Sequence, residues 1–339
     1  MAWTQQLFTL AEIEAAGQTL IAPMTSREDR ELAVRITNNW RSAHAFPLNT
    51  LQVNLRRVAR EFDPEATVAQ RLKRLPSIVT KLERLDWLTL AEMQDLGGCR
   101  AVVDDVDMAL AVAERYRNAR LRHRLIQEDN YIAHPKRSGY RGIHLIYGYS
   151  SDKNPAYNGM KIEMQIRSRL QHAWATAVET VDMFTNQALK SSVGEQNWLR
   201  FFVLMSAVIA LREESPRVPG SPHDIRELLD ELRGLAGDLR VTQRLAAYGQ
   251  ALRFFEDPVI GGNFMLLELD AAAGQLRLRT YANPAAAAVA YDAIESAAEP
   301  SVDVVLVRAE SADALRRAYP NYFADSTAFI AAVEDAIAR

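Results

Sequence analysis

The chain has 339 residues, 48% hydrophobic and 24% charged, with a formal net charge of −3, the balance of a globular protein of roughly two or three domains. That charge excludes a general affinity for nucleic acid or membrane, so any anion site must come from local clustering. A lone cysteine, Cys99, excludes an intramolecular disulfide; there is no zinc-type Cys/His spacing, no basic secretory leader and no apolar run of the ~18 residues a membrane span needs, so a cytoplasmic protein is expected.

Residues 1–45 read as a helical leader interrupted near Pro23. Helices are expected over 46–62 and 77–88. The window 71–81, "RLKRLPSIVTK", holds Arg71, Lys73, Arg74 and Lys81 and no acid. "CRAVVDD" (99–105) is a short β-type run after Gly97-Gly98. Val106, Leu110 and Ala113 recur at helical spacing over 106–119. The segments "LRHRLIQ" (121–127), "YRGIHLIYGY" (140–149) and "MKIEMQIR" (160–167) read as strands, followed by a helix from Arg169 to about Phe184. This alternation predicts one α/β unit over 46–190. Helices at 195–213 and 222–249, joined by the linker "ESPRVPGSP", form a helical connector over 191–255. In "PHDI", Asp224 is expected to cap the second of these. Two strands, a helix at 284–297, a third strand "VDVVLVRA" and helices at 311–318 and 325–338 predict a small α+β domain over 256–339, for regulation or oligomerisation. The expected fold class is therefore α/β, a mixed sheet flanked by helices, with a helical linker and that added domain.

Chemistry concentrates in the first half. In 160–167, Lys161, Glu163, Gln165 and Arg167 alternate with apolar Met160, Ile162, Met164 and Ile166, so one face of the strand is polar. This pattern suits a half-solvated sheet and equally the floor of a site. The stretch "HPKRSGYRGIH" (134–144) crowds Lys, Arg, Tyr and His around Gly139 and Gly142. Tyr140, Gly142 and His144 share a parity, and both glycines are expected to leave space for a flat ligand or a phosphate. Arg and Lys suit phosphate, and a tyrosine ring suits a stacked base. A nucleotide meets both demands, with Asp95 and Glu163 as candidate carboxylates for Mg²⁺. On the helix after the last strand, Trp174, Val178 and Val181 read as core. His172, Thr176 and Glu179 lie on another face that borders the site or simply satisfies a local carbonyl.

Four pieces in order, "RLKRLPSIVTKL", "MQDLGGCRAVV", "HPKRSGYRGIHL" and "IEMQIRSRLQHAWA", resemble the RelA/SpoT synthetase domain, a nucleotidyltransferase-like fold. The resemblance covers about Arg56 to Phe184. It implies transfer of the β,γ-pyrophosphate of ATP to the 3′-hydroxyl of GDP or GTP, giving a (p)ppGpp-type alarmone, with Mg²⁺ as cofactor. By resemblance Arg71, Lys73, Lys81 and Arg100 bind the donor nucleotide. Lys136, Tyr140, His144, Gln165 and Arg167 face the acceptor and its phosphates, with Tyr140 stacked on the base. Asp95 and Glu163 are the catalytic and metal carboxylates, Glu163 as metal ligand or as base. Gly142 and Ser138 stand where the family often has Ser and Asn. The hydrolase domain of long bifunctional members is not expected here. Two other readings stay open. Toxin relatives act on the 3′-CCA end of tRNA; the arginine run "RYRNARLRHR" (115–124) could hold RNA or be a solvated helix end plus an edge strand, and in the first case the C-terminal domain would be a fused neutraliser. The third reading is a non-catalytic nucleotide sensor. A homo-oligomer is left open, and no membrane partner is expected.

Overall fold

The computed structural model describes residues 3–119, 121–185, 192–254, 264–270, 275–297, 302–308 and 322–338. They divide into two compact units. One comprises Met1–Tyr131 with Gly142–Ser168, the other Ile132–Arg141 with Arg169–Arg339.

The first unit is built on a five-stranded sheet in the order β1-β2-β5-β4-β3, with β1 Thr67–Leu72, β2 Gly97–Val103, β3 Arg124–Asn130, β4 Ile143–Gly148 and β5 Lys161–Ser168. The pair β2–β5 is parallel and the other three pairs are antiparallel, so the sheet is mixed, as expected. Its apolar face packs on α3 (Ala45–Phe62) and α5 (Val106–Arg117). A Cβ on Gly97 would lie 2.8 Å from Ile162 Cδ1 and 3.5 Å from Leu48 Cβ. Helix and sheet meet there because position 97 carries no side chain.

The leader is two helices, α1 (Leu10–Ile21) and α2 (Arg27–Ala43). Thr9 and Glu12 close a capping box on α1, and Ser26 caps α2. Their apolar faces bury Ile13, Leu20, Ile36 and Trp40 against Ile78 and Leu82 of α4 (Leu75–Arg84) and against Leu90, Met93 and Leu96. That cluster fixes α4 and the loop leading into β2, which carry the site's basic and acidic groups.

Three expectations need correction. Strand β1 is an element the sequence reading omits. The strand expected over 140–149 begins only at Ile143, because Gly139 (φ +89°) and Gly142 (φ +143°) hold the chain out of extended geometry. The helix expected over 222–249 is two, α8 (Ile225–Asp238) and α9 (Val241–Phe254), divided where Arg240 adopts φ +47°.

The second unit has a helical core of α6 (Arg169–Thr185), α7 (Ser192–Arg212), α8, α9 and the last helix, α11 (Tyr322–Ala338). Trp174 and Val181 of α6, Phe201, Phe202 and Met205 of α7, and Phe329 and Val333 of α11 share it. Asp224 caps α8 as expected, accepting from the amides of Arg226 and Glu227. A three-stranded antiparallel sheet, β7-β6-β8, joins β6 (Phe264–Asp270), β7 (Gln275–Tyr281) and β8 (Val302–Arg308), with α10 (Pro284–Ala297) packed on it. The helix expected at 311–318 lies outside the described residues. No helix among the described residues is long and apolar enough to cross a membrane.

Candidate active site

Strand pairing gathers most of the candidate residues on one face of the first unit. Registered neighbours share a face, and so do alternate residues along a strand. One row across the sheet reads Arg71, Gly98, Glu163, Ile146; the next reads Ala69, Arg100, Gln165, His144, Asp129. Arg71, Arg100, His144, Glu163, Gln165 and Arg167 therefore point to the side away from α3 and α5. The alternation in β5 is kept, since Ile162, Met164 and Ile166 are fully buried.

Beside this face lies a three-member ion cluster. Lys73 Nζ is 2.9 Å from Asp95 Oδ2 and Lys81 Nζ is 3.0 Å from Oδ1. The local fold explains the convergence. The Lys73 amide donates to the Leu96 carbonyl at 2.8 Å, extending the β1–β2 ladder one step and setting Lys73 next to Asp95. Met93 and Leu96, both buried, pin the loop on either side. Helix α4 buries Ile78 and Leu82, which turns Lys81 to the carboxylate. Each pair is worth about 5 kcal/mol of gross attraction at an effective dielectric near 20, and desolvation offsets several kcal/mol per ion. Stability alone therefore does not call for two lysines on one carboxylate. Surplus positive charge suits a polyanion.

Glu163 is held by side chains at both oxygens. His144 Nδ1 is 2.8 Å from Oε1, and Gln165 Nε2 donates to Oε2 at 2.9 Å. Burial alone would raise this carboxyl. The hydrogen bond and charge of His144, the Gln165 amide and the nearby Lys81 outweigh it and hold the group down at about 2. An ionised carboxylate only accepts, so His144 carries its proton on Nδ1. Lys81 thus links the two carboxylates: it is paired with Asp95 and its charge reaches Glu163.

A magnesium ion that takes most of its ligands from phosphate needs one or two protein carboxylates. The cluster offers one, Asp95, and Glu163, which feels the charge of Lys81, is the second candidate. Each carboxylate oxygen has a second lone pair beyond the contact it makes. Among the described residues no group of three or more His, Cys, Asp or Glu could hold a metal unaided.

The glycines divide differently from expectation. Gly139 and Gly142 make room for protein, not for ligand. A Cβ at 142 would lie 3.1 Å from Arg167 Cγ, and one at 139 would lie 3.0 Å from Ser206 Cβ and 3.1 Å from Trp174. Gly98 is the position the sequence reading missed. A Cβ there would meet only Glu163, at 3.8 Å from Oε2, and its φ is ordinary. Neither packing nor backbone requires glycine at 98, so the strand is open there beside Glu163, where a ligand has room to approach the backbone. Gly98→Val is expected to keep or raise the melting temperature while lowering ATP affinity at least about tenfold. Gly97→Ala, by contrast, is expected to cost about 1–3 kcal/mol of stability. Thermal melts and ATP titrations of the two variants check this.

Lys136 and Tyr140 belong to the second unit. There the half-buried Tyr140 ring packs on the helical core, with Lys136 Nζ 5.3 Å from its centroid. Neither lies in a strand. In the same unit Arg141 is buried and donates to Ser206 Oγ, Ser215 Oγ and the carbonyls of Ile132 and Pro216. His172 and Thr176 are buried in α6, where the Thr176 hydroxyl donates to the His172 carbonyl, and Glu179 is exposed. Three arginines of the 115–124 run are engaged by acids: Arg115 by Glu61, Arg117 by Glu114 and Glu128, and Arg122 by Asp152. Arg120 lies outside the described residues. Cys99 is buried, and burial pushes its thiol far up, so it is an inert core residue.

Residues 70–184 match the family model described as the region found in RelA / SpoT proteins. The chain carries a RelA/SpoT region. It contains every candidate residue named above, from Arg71 to Arg167. GTP pyrophosphokinase YjbM of Bacillus subtilis is 28% identical over 162 residues, covering 47% of this chain and 74% of that protein. GTP pyrophosphokinase YwaC of the same organism is 25% identical over 167 residues, covering 45% and 78%. Among solved structures, small alarmone synthetase 1 from Bacillus subtilis bound to its product pppGpp aligns with a TM-score of 0.44 and 22% identity, over 50% of this chain and 89% of that one. Of the eleven candidates, nine lie in the first unit and two, Lys136 and Tyr140, in the second.

Proposed function

We propose that the chain is an ATP-dependent pyrophosphokinase that moves the β,γ-pyrophosphate of ATP to the 3′-hydroxyl of GDP or GTP, forming (p)ppGpp. The observation that carries this reading is that, inside the RelA/SpoT region, Lys81 pairs with Asp95 in the Lys73–Asp95–Lys81 cluster while its charge acts on the clamped Glu163 carboxylate. The names of the two Bacillus relatives support it. Pyrophosphoryl transfer asks little covalent work of a protein. It asks for positioning and for positive charge around the phosphates. Arg71, Lys73, Lys81 and Arg100 supply that charge on the donor side. Mg²⁺ held by Asp95 and Glu163 would add charge where the leaving and transferred phosphates separate. A carboxylate held as low as Glu163 is a weak base toward a hydroxyl, so in this reading its negative charge orients the acceptor and favours its ionisation without long-lived proton uptake. A reaction that consumes ATP and a guanosine nucleotide fits a cytoplasmic enzyme.

The test is purified chain with terminally labelled ATP and Mg²⁺, offered GDP, GTP, ATP or deacylated tRNA. Label is expected in the guanosine nucleotide and to depend on the metal. Label in tRNA alone, or in no acceptor, overturns the proposal.

A further inference from the structure

Arg167 carries a formal charge yet is only 4% exposed. Its Nη2 donates to Gln165 Oε1 at 2.9 Å, and Gln165 Nε2 donates to Glu163 Oε2 at 2.9 Å. The two links run along one face of a single strand, at alternate positions. The polarity of the amide is fixed by its partners: a guanidinium only donates and a carboxylate only accepts. Gln165 is thus an adapter between a donor and an acceptor of opposite charge, and no other side chain of its length has one acceptor facing one way and one donor the other. The backbone accommodates the relay. Gly142, just before β4, leaves space that a Cβ would take from the Arg167 stem, 3.1 Å from Cγ and 3.5 Å from Nε.

We propose that Gln165 and Arg167 are positioning residues that act through Glu163: the guanidinium orients the amide, the amide fixes Oε2, and His144 fixes Oε1, so the carboxylate is held in one rotamer before substrate arrives. This deepens the pyrophosphokinase reading and rests on it. It gives Gln165 and Arg167 a different task from contact with nucleotide phosphates. Such outer partners of a functional group are worth about ten- to a hundredfold when removed, because they fix geometry that substrate binding would otherwise have to organise.

Gln165→Glu separates the links. It keeps an acceptor for Arg167, now as an ion pair, and removes the donor to Glu163. Arg167→Lys keeps the charge and loses the planar fork. Both are expected to lower kcat on the order of ten- to a hundredfold, with KM for ATP and for the guanosine nucleotide changed less than about threefold. A second readout is the Gln165 side-chain NH₂ pair in a ¹H–¹⁵N spectrum of the nucleotide-free chain, identified by its loss in Gln165→Glu. It is expected to shift in Arg167→Lys and in Glu163→Gln. An unchanged kcat, or a rise in nucleotide KM that accounts for the lost activity, overturns the positioning role. If the wild-type chain transfers no label, the functional reading fails by itself and the amide signal decides the relay: an NH₂ pair indifferent to both substitutions contradicts it.

Discussion

Glu163→Gln is expected to lower kcat on the order of a thousandfold while ATP and GDP still bind within about threefold of wild type. The substitution keeps size and leaves the strand undisturbed, since Glu163 sits mid-β5 between buried Ile162 and Met164. What it removes is charge and acceptor capacity. The carboxylate accepts from His144 Nδ1 and from Gln165 Nε2. An amide has one acceptor atom, so one of those donors must turn away or face an NH₂ group. Stability is expected to move by less than about 1 kcal/mol, because losing a desolvated charge offsets losing its hydrogen bonds. Rapid-quench turnover with calorimetric binding separates the two effects. A variant that turns over within tenfold of wild type would remove Glu163 from the chemistry.

Asp95→Asn is expected to uncouple metal from nucleotide. With the carboxylate gone, Lys73 and Lys81 lose their shared counter-charge and become better partners for phosphate. Metal-free ATP should therefore bind as well as to wild type, or better, whereas Mg²⁺ should no longer strengthen binding, and transfer should fall on the order of a hundredfold. The two like charges left side by side should cost about 1–2 kcal/mol. The cost is smaller than in a sealed interior because all three groups keep roughly a fifth to a quarter of their surface in solvent. Calorimetry with and without Mg²⁺ reads the coupling directly. Mg²⁺ strengthening ATP binding to the variant as it does to wild type would exclude Asp95 as a ligand.

The period-two pattern over 160–167 was fully legible, because apolar and polar residues alternate there without exception, and it correctly put Glu163, Gln165 and Arg167 on one face. Arg71 and Arg100 joined them only through strand register, a long-range property that no local pattern encodes. Strand β1 went unseen because "TVAQRL" is short and half-exposed, with little period of its own. The roles of the glycines were misjudged for a related reason. Sequence shows that Gly142 lacks a side chain but not which neighbour takes the space, and Arg167, 25 positions on in the chain, takes it. Gly98 could have been found, since a second glycine at the start of an apolar strand has no local justification. The break at Arg240 carries no proline, and its preceding Gly237 reads as ordinary helix.

The central claim is that Asp95 and Glu163 serve one metal ion on one triphosphate. Co-crystallisation with Mn²⁺ and a non-hydrolysable ATP analogue, with anomalous diffraction at the manganese edge, tests it most directly. A single peak bonded at about 2.1–2.2 Å to an oxygen of each carboxylate and to the donor phosphates is the result expected. A peak on the phosphates that touches neither carboxylate, or only one of them, would contradict it.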